Sequence, residues 1–433
     1  MEKQDLKFNT YVQILKEELI PATGCTEPIA IAYASAKARE VLGALPESVL
    51  VEVSGNIIKN VKSVVVPNTG GMKGIEAAAI AGIVGGNADK KLEVISDIDE
   101  NQKRKIRDFL SKIPITVNQI DSGEIFDILV TLADRENNVS VRISRFHTNI
   151  VSIVKNGRIL YSAGTGEEVR NCDDITENSG LSDKSLLNLK DIIDFADTCD
   201  LDDVRELLDL QIRSNYQIAE EGIRGDYGAN IGSVLIHANG NAVQNRAAAM
   251  AAAGSDARMS GCELPVIINS GSGNQGITVS VPVVEYAKEL NSSEDRLYRA
   301  LLISNLTAVH EKTGIGRLSA YCGAVSAGCA AGCGIAYLQG EGYEALAHTL
   351  VNSLAVVSGI ICDGAKPSCA AKIASSVQAG ILGYQMWKDG QEFKRGDGIV
   401  NSDVEATIVN VGRLGREGMR ETDKEIVSMM LDK

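Results

Sequence analysis

Leu318 to Gly334 reads L-S-A-Y-C-G-A-V-S-A-G-C-A-A-G-C-G. From Ala324 onward it holds only Ala, Val, Ser, Gly and Cys, with no charge and no period-two alternation. That texture predicts a buried helix over 324–334 whose small side chains let neighbouring helices approach closely. Cys329 and Cys333 fall on one stripe of it and read as core. Arg246–Ala253 has the same texture. Helical spacing recurs over 185–196, 201–221, 240–255, 281–289, 293–309, 342–358, 369–386 and part of 403–431, with glycine-rich links between. The second half of the chain therefore predicts a tightly packed helical core.

Upstream the pattern changes. Leu6, Tyr11, Ile14, Leu15, Leu19 and Ile20 predict a helix over 5–20, broken by Pro21. Thr26 reads as the N-cap of a second helix, with Glu27 and Pro28 in its first turn and its end near Gly43. Strands are predicted at 49–54, 92–96, 115–120, 125–132, 139–146, 149–154 and 158–162, the last four as an antiparallel meander. Helices are predicted at 73–84 and 99–112. The expected class is α+β: a mainly helical catalytic core with an antiparallel-sheet α+β domain inserted after the N-terminal helices. The parts are 1–43 (helices packing on the core), 44–165 (the α+β domain) and 166–433 (the helical domain). The charged stretch 166–186 is the linker candidate.

The chain has 433 residues, with 43 Lys plus Arg against 57 Asp plus Glu, a net charge of −14. Its length exceeds one ordinary core of about 100–200 residues. A hydrophobic fraction of 44% and a charged fraction of 23% exclude disorder, collagen and coiled coil as the main class. The acidic balance and 4% aromatics argue against nucleic acid and against an anionic membrane surface as partners. The start, M-E-K-Q-D-L-K-F-N-T, has no secretory pattern, and no run of about 18 apolar residues follows. A cytoplasmic protein is expected. Nine cysteines, an odd count without an export signal, predict a reducing compartment and no disulfide framework.

Four histidines, His147, His237, His310 and His348, fall in no metal-ligand frame, and nucleophile-elbow and Walker A patterns are absent. The histidines read as structural, with His310 held in reserve as a base. Cys322 precedes Gly323 at a predicted helix start, where unpaired N–H groups favour a thiolate. Cys362 and Cys369 bracket D-G-A-K-P, a turn that can aim both sulfurs at one point, and Cys369 opens a helix. Thiols at such junctions suit soft iron. Cys25 lies in T-G-C-T-E-P directly before a buried helix start, so its pKa is expected to be depressed. Gly24 beside it is read as room for a ligand. Two glycine-rich loops, V-P-N-T-G-G-M-K-G (66–74) and I-N-S-G-S-G-N-Q-G-I (268–277), can cradle a carboxylate on backbone N–H groups. They offer Asn68, Thr69 and Lys73 from the first, and Ser272, Asn274 and Gln275 from the second. Neither fits a dinucleotide fingerprint.

Taken together, P-A-T-G-C-T-E-P, V-P-N-T-G-G-M-K-G, S-G-S-G-N-Q-G-I-T, I-G-R-L-S-A-Y-C-G and G-I-I-C-D-G-A-K-P-S-C-A-A-K resemble the L-cysteine desulfidase family. That family is similar in its helical half to the alpha part of iron–sulfur L-serine dehydratases. The resemblance implies an oxygen-sensitive 4Fe–4S enzyme that breaks L-cysteine into pyruvate, ammonia and sulfide without pyridoxal phosphate. The dehydratase relatives hold their cluster by three cysteines, at positions matching Cys322, Cys362 and Cys369. A set of Cys25, Cys322 and Cys362 stays open. With the first set, Cys25 is left as the catalytic thiolate that removes the α-proton. The substrate is then a small amino acid, and a homo-oligomer is the expected assembly. Dehydration of L-serine is the nearest alternative. A pyridoxal-phosphate lyase with Lys73 as Schiff base, and a non-enzymatic iron–sulfur protein, are the others.

Overall fold

A computed structural model describes residue 1 and residues 5–163, 181–316 and 318–431. Positions 166–180 of the linker candidate, and Arg317, lie outside the described residues. Helix α1 (Leu6–Glu18) buries Phe8, Tyr11, Ile14 and Leu15 at the spacing the sequence predicts. After it Pro21–Thr23 forms a short strand, β1. Helix α2 (Thr26–Leu42) is capped by Cys25, one residue earlier than expected, and closes on Gly43 at φ 86°.

Six strands form one sheet: β2 (Ser48–Val53), β3 (Ile115–Gln119), β4 (Asp127–Ala133), β5 (Asn138–Ser144), β6 (Ile150–Lys155) and β7 (Arg158–Ser162). Their order is β3-β2-β4-β5-β6-β7. The meander from β4 to β7 is there as expected, while the β2–β3 pair is parallel and makes the sheet mixed. Helices α3 (Gly55–Val61), α4 (Gly74–Gly85) and α5 (Glu100–Lys112) complete this region. Helix α2 lies against α4 and over β4 and β5. Residues 92–96 are not a strand. A 3-10 turn ends at Glu93, and Asn68 Nδ2 donates to the Ile95 carbonyl at 3.0 Å, so side-chain bonding replaces a ladder. A five-residue apolar run does not distinguish a strand from a buried turn by periodicity.

The helical part comprises α6 (Leu189–Thr198), α7 (Arg205–Arg224), α8 (Ile231–Asn239) and α9 (Val243–Met259). After strand β8 (Pro265–Ile267) come α10 (Gly273–Glu289), α11 (Glu294–Ile315), α12 (Gly323–Leu338) and α13 (Tyr343–Val357). The last are α14 (Ser368–Lys388), α15 (Val404–Arg413) and α16 (Arg420–Leu431). The molecule is α+β, as expected. Helix α10 begins eight residues before its predicted start, within the glycine-rich 268–277 stretch, and carries Pro282 in its interior. A proline normally opens a helix instead. No helix among the described residues is long and apolar enough to cross a membrane.

At the centre, α12 packs on α10, α11, α13 and α14. Every residue from Ala324 to Leu338 is buried. Backbone meets backbone here. A Cβ at Gly332 would fall 2.6 Å from the Gly380 carbonyl oxygen, and one at Gly328 would fall 2.5 Å from the Ser376 carbonyl carbon. Cys329 and Cys333 are fully buried in this packing, in line with the core reading. Gly332→Ala should therefore cost about 1–3 kcal/mol through overpacking. Gly359→Ala, with nothing within 4 Å, should stay within about 0.5 kcal/mol. Denaturant midpoints compare the two, and equal effects would refute the close-approach account.

Candidate active site

Two short backbone pairings assemble the site. In the first, β1 runs antiparallel to β8, and the Ile268 N–H donates to the Ile20 carbonyl at 3.0 Å. This sets Cys25, just past β1, against the loop just past β8. In the second, Tyr321 bridges Ile361. The Cys322 N–H donates to the Ile360 carbonyl at 3.1 Å and the Cys362 N–H to the Ala320 carbonyl at 2.6 Å. Cys369 follows in the first turn of α14. The intervening turn is pinned by Asp363, which pairs with Lys366 at 2.9 Å and with Lys372. A cavity of about 110 Å³ results, lined by Cys25, Cys322, Cys362 and Cys369 together.

Ser272, Asn274 and Gln275 line the same cavity. Ser272 caps α10, its side chain accepting from the Gln275 N–H. Gln275 is buried, and its Oε1 has no hydrogen-bond partner. Its amide lies across the start of α12, where a Cβ at Gly323 would come within 2.6 Å of Gln275 Nε2.

The 66–74 loop does not reach the cavity, which corrects three expectations. Asn68 and Thr69 are consumed by their own surroundings: Asn68 donates to the Ile95 carbonyl and Thr69 Oγ1 to the Val66 carbonyl at 2.6 Å. Lys73 is exposed at the start of α4 and caps nothing. It is not among the residues that line the cavity with the cysteines. The loop instead backs Cys25. Gly24 sits at φ 69°, and a Cβ on it would fall 2.5 Å from Pro67 Cγ. The glycine admits that proline, not a ligand.

The electrostatics also differ from expectation. The Cys25 Sγ donates to Glu27 Oε2 at 3.4 Å. Burial pushes this thiol well above its ordinary value and the Glu27 charge adds to it, with Arg258 pulling the other way. Complete burial outweighs the helix terminus that predicted a depressed value. Glu27 itself is a carboxylate. Burial works against its ionisation, but the neighbouring His147 and then the Cys25 thiol hold it well below the usual range. His147 Nε2 stands 3.8 Å from Glu27 Oε1, longer than a hydrogen bond. Asn60 Nδ2 donates to the same oxygen at 3.2 Å. The Cys322 thiol is likewise pushed up to about 12, first by burial and then by Cys362 and Cys369.

Glu27, Asn60, His147, Arg258 and Lys312 all line the cavity and were not singled out by sequence reasoning. Glu27 was within the quoted motif, and a charge on a helix start otherwise apolar was its signal. His147 sits between β5 and β6, far along the chain and in no motif. Only the fold brings it in, with Phe126 edge-on to its ring at 4.7 Å. His310 is absent from the lining and bonds Glu405 at 2.6 Å instead. That removes the reserve base.

The chain matches a family model described as the serine dehydratase alpha chain over residues 89–428. The chain belongs to the serine dehydratase alpha-chain family. It is 60% identical to a UPF0597 protein of Desulfitobacterium hafniense, covering 100% of this chain and 99% of that one. Identity is 51% to a UPF0597 protein of Lachnoclostridium phytofermentans, over 98% of this chain and 100% of that one. It is 46% to one from Treponema denticola, over 98% of each. The serine dehydratase alpha-chain match takes in His147, Arg258, the 270–275 loop and the three later cysteines. Cys25 and Glu27 lie before it.

Among the described residues no three His, Cys, Asp or Glu side chains meet closely enough to hold a single metal ion. A multi-iron cluster asks for something else, since each thiolate binds a different iron and stands apart from the others. Three soft thiols lining one cavity, with the Lys372 charge near enough to act on Cys322, fit that demand in donor chemistry.

Lys73→Ala should leave stability within about 0.5 kcal/mol and turnover within about twofold. Gly24→Ala should cost about 1–3 kcal/mol and most of the activity, because its Cβ collides with Pro67 and displaces the neighbouring Cys25. Loss of activity in a folded Lys73→Ala protein would return the 66–74 loop to the site.

Proposed function

We propose that this chain cleaves L-cysteine to pyruvate, ammonia and sulfide by α,β-elimination. The observation that carries the reading is the convergence of Cys25, Cys322, Cys362 and Cys369, from separate segments, on one small cavity. In this reading Cys322, Cys362 and Cys369 hold a 4Fe–4S cluster. Bound there, the cluster supplies an open iron that acts as a Lewis acid toward the leaving β-substituent.

The other steps belong to side chains. Cys25, whose thiol is hydrogen-bonded to Glu27, is the group placed to take the substrate α-proton once it is a thiolate. His147 and Asn60 hold Glu27 in place beside that thiol. Ser272, Asn274 and Gln275 present the N-terminus of α10 to the substrate's polar end. Elimination leaves aminoacrylate, which water converts to pyruvate and ammonia.

L-Serine dehydration is the second reading, favoured by the description of the matching family. It uses the same residues with hydroxide as the leaving group. Anaerobic kcat/KM for the two substrates separates the readings, with cysteine expected to lead. A tenfold preference for serine would make the chain a dehydratase. No turnover of either would leave an iron–sulfur protein without this activity.

Iron content tests the ligands. Cys322→Ala and Cys362→Ala should lose iron and the broad visible band. Cys329→Ala and Cys333→Ala, buried away from the cavity, should keep both. Equal iron loss in folded Cys329→Ala and Cys322→Ala proteins would count against the assignment.

Cys25→Ala should keep iron but lose turnover by about 10²–10⁴-fold, the usual contribution of a positioned base. Cys25→Ser should be nearly as inactive, and α-proton exchange with deuterated water should vanish in both. If Cys25→Ala comes out colourless while Cys369→Ala stays coloured, the ligands are Cys25, Cys322 and Cys362.

A further inference from the structure

Arg258 ends α9 beside Cys25, lining the cavity at only 2% exposure. Its Nη1 donates to Asn274 Oδ1 at 3.0 Å, and its Nε has no hydrogen-bond partner. Among the described residues no carboxylate pairs with it. The guanidinium fits only because residue 273 is glycine: a Cβ there would lie 2.4 Å from Arg258 Nε. A buried cation without a counter-charge is strongly unfavourable, and such groups are retained where a ligand completes them. The planar fork of arginine suits a carboxylate, which it can hold by two parallel bonds. Gln275 Oε1 is a buried acceptor with no donor on the wall of the same cavity. A carboxylate and an ammonium on one small molecule supply both missing partners.

We infer that Arg258 is the residue that recognises the α-carboxylate of a small amino acid, with Gln275 facing its ammonium group. This rests on the reading of the cavity as an amino-acid site and not on the reaction carried out there. The probe is L-alanine, which has no leaving group, titrated calorimetrically into the anaerobic holoenzyme. L-Alaninamide, which has the ammonium but no carboxylate, is the control.

Arg258→Gln should weaken L-alanine binding by about 30-fold or more, as expected when one partner of a buried charged pair is removed. It should change L-alaninamide binding by less than about threefold. Arg258→Lys, a point charge without the fork, should fall between Arg258→Gln and the native protein. L-Alanine binding to a folded Arg258→Gln protein within about threefold of native would overturn the inference, as would native protein that does not bind L-alanine. Should Arg258→Gln fail to fold, Asn274→Ala releases the guanidinium and should weaken L-alanine selectively. Equal weakening of both probes overturns the inference. Arg258-dependent L-alanine binding without turnover of cysteine or serine would sink the elimination reading alone. Cysteine turnover with an unchanged KM in Arg258→Gln would sink this inference alone.

Discussion

The contact between the backbones of α12 and α14 constrains everything near the cavity. Cys322 caps one of these helices and Cys369 opens the other. With Gly328 and Gly332 against Ser376 and Gly380, no side chain separates them, so little is left to adjust. The spacing of the two helix starts then follows from hard-sphere contact along the helices, not from soft side-chain packing. The bridge between Tyr321 and Ile361 adds Cys362 to the same rigid frame. Three thiols held on one rigid frame are preorganised, as the proposed cluster would require of its ligands.

The fourth cysteine reaches the cavity by a different route, and the route explains the sheet. Cys25 is held by β1 pairing with β8 and by Gly24 resting on Pro67. Its partner Glu27 would be an uncompensated buried charge without His147 and Asn60. His147 comes from the connection between β5 and β6, and α2, which carries Glu27, lies over β4 and β5. The α+β region therefore does more than cover the helices. It brings the group that keeps Glu27 ionised.

Periodicity made most elements legible, because a helix or strand buried on one face has to repeat its apolar residues at its own spacing. The helices of the second half and the meander were readable for that reason. The failures were local. The apolar run at 92–96 satisfies its backbone through Asn68 and turns instead of a ladder. Pro282 lies inside α10 rather than at its start. In the site, cysteines at junctions were visible because helix starts are marked in sequence. Two glycine loops looked alike, yet only 268–277 faces the cavity. Glycine marks backbone freedom, and Gly24 shows that such freedom can serve a proline as well as a ligand. His147 and Arg258 join through contacts across more than a hundred residues, which no local pattern encodes.

Charge in the cavity is arranged with few exceptions as pairs. Cys25 and Glu27 share one negative charge, since the thiol stays neutral beside the ionised carboxyl. His147 stands beside Glu27 on one side, and Arg258 acts on the Cys25 thiol on the other. A proton moving from Cys25 to Glu27 shifts the negative charge by one hydrogen-bond length without creating a new one, so burial does not forbid it. Ionising Cys25 by release to bulk water would instead put a second negative charge into the same dry space. In the pair as it stands the proton sits on Cys25 and the charge on Glu27. Moving that proton is uphill in the cavity as it stands, and a ligand that draws Arg258 toward its own carboxylate would change the field that sets the cost.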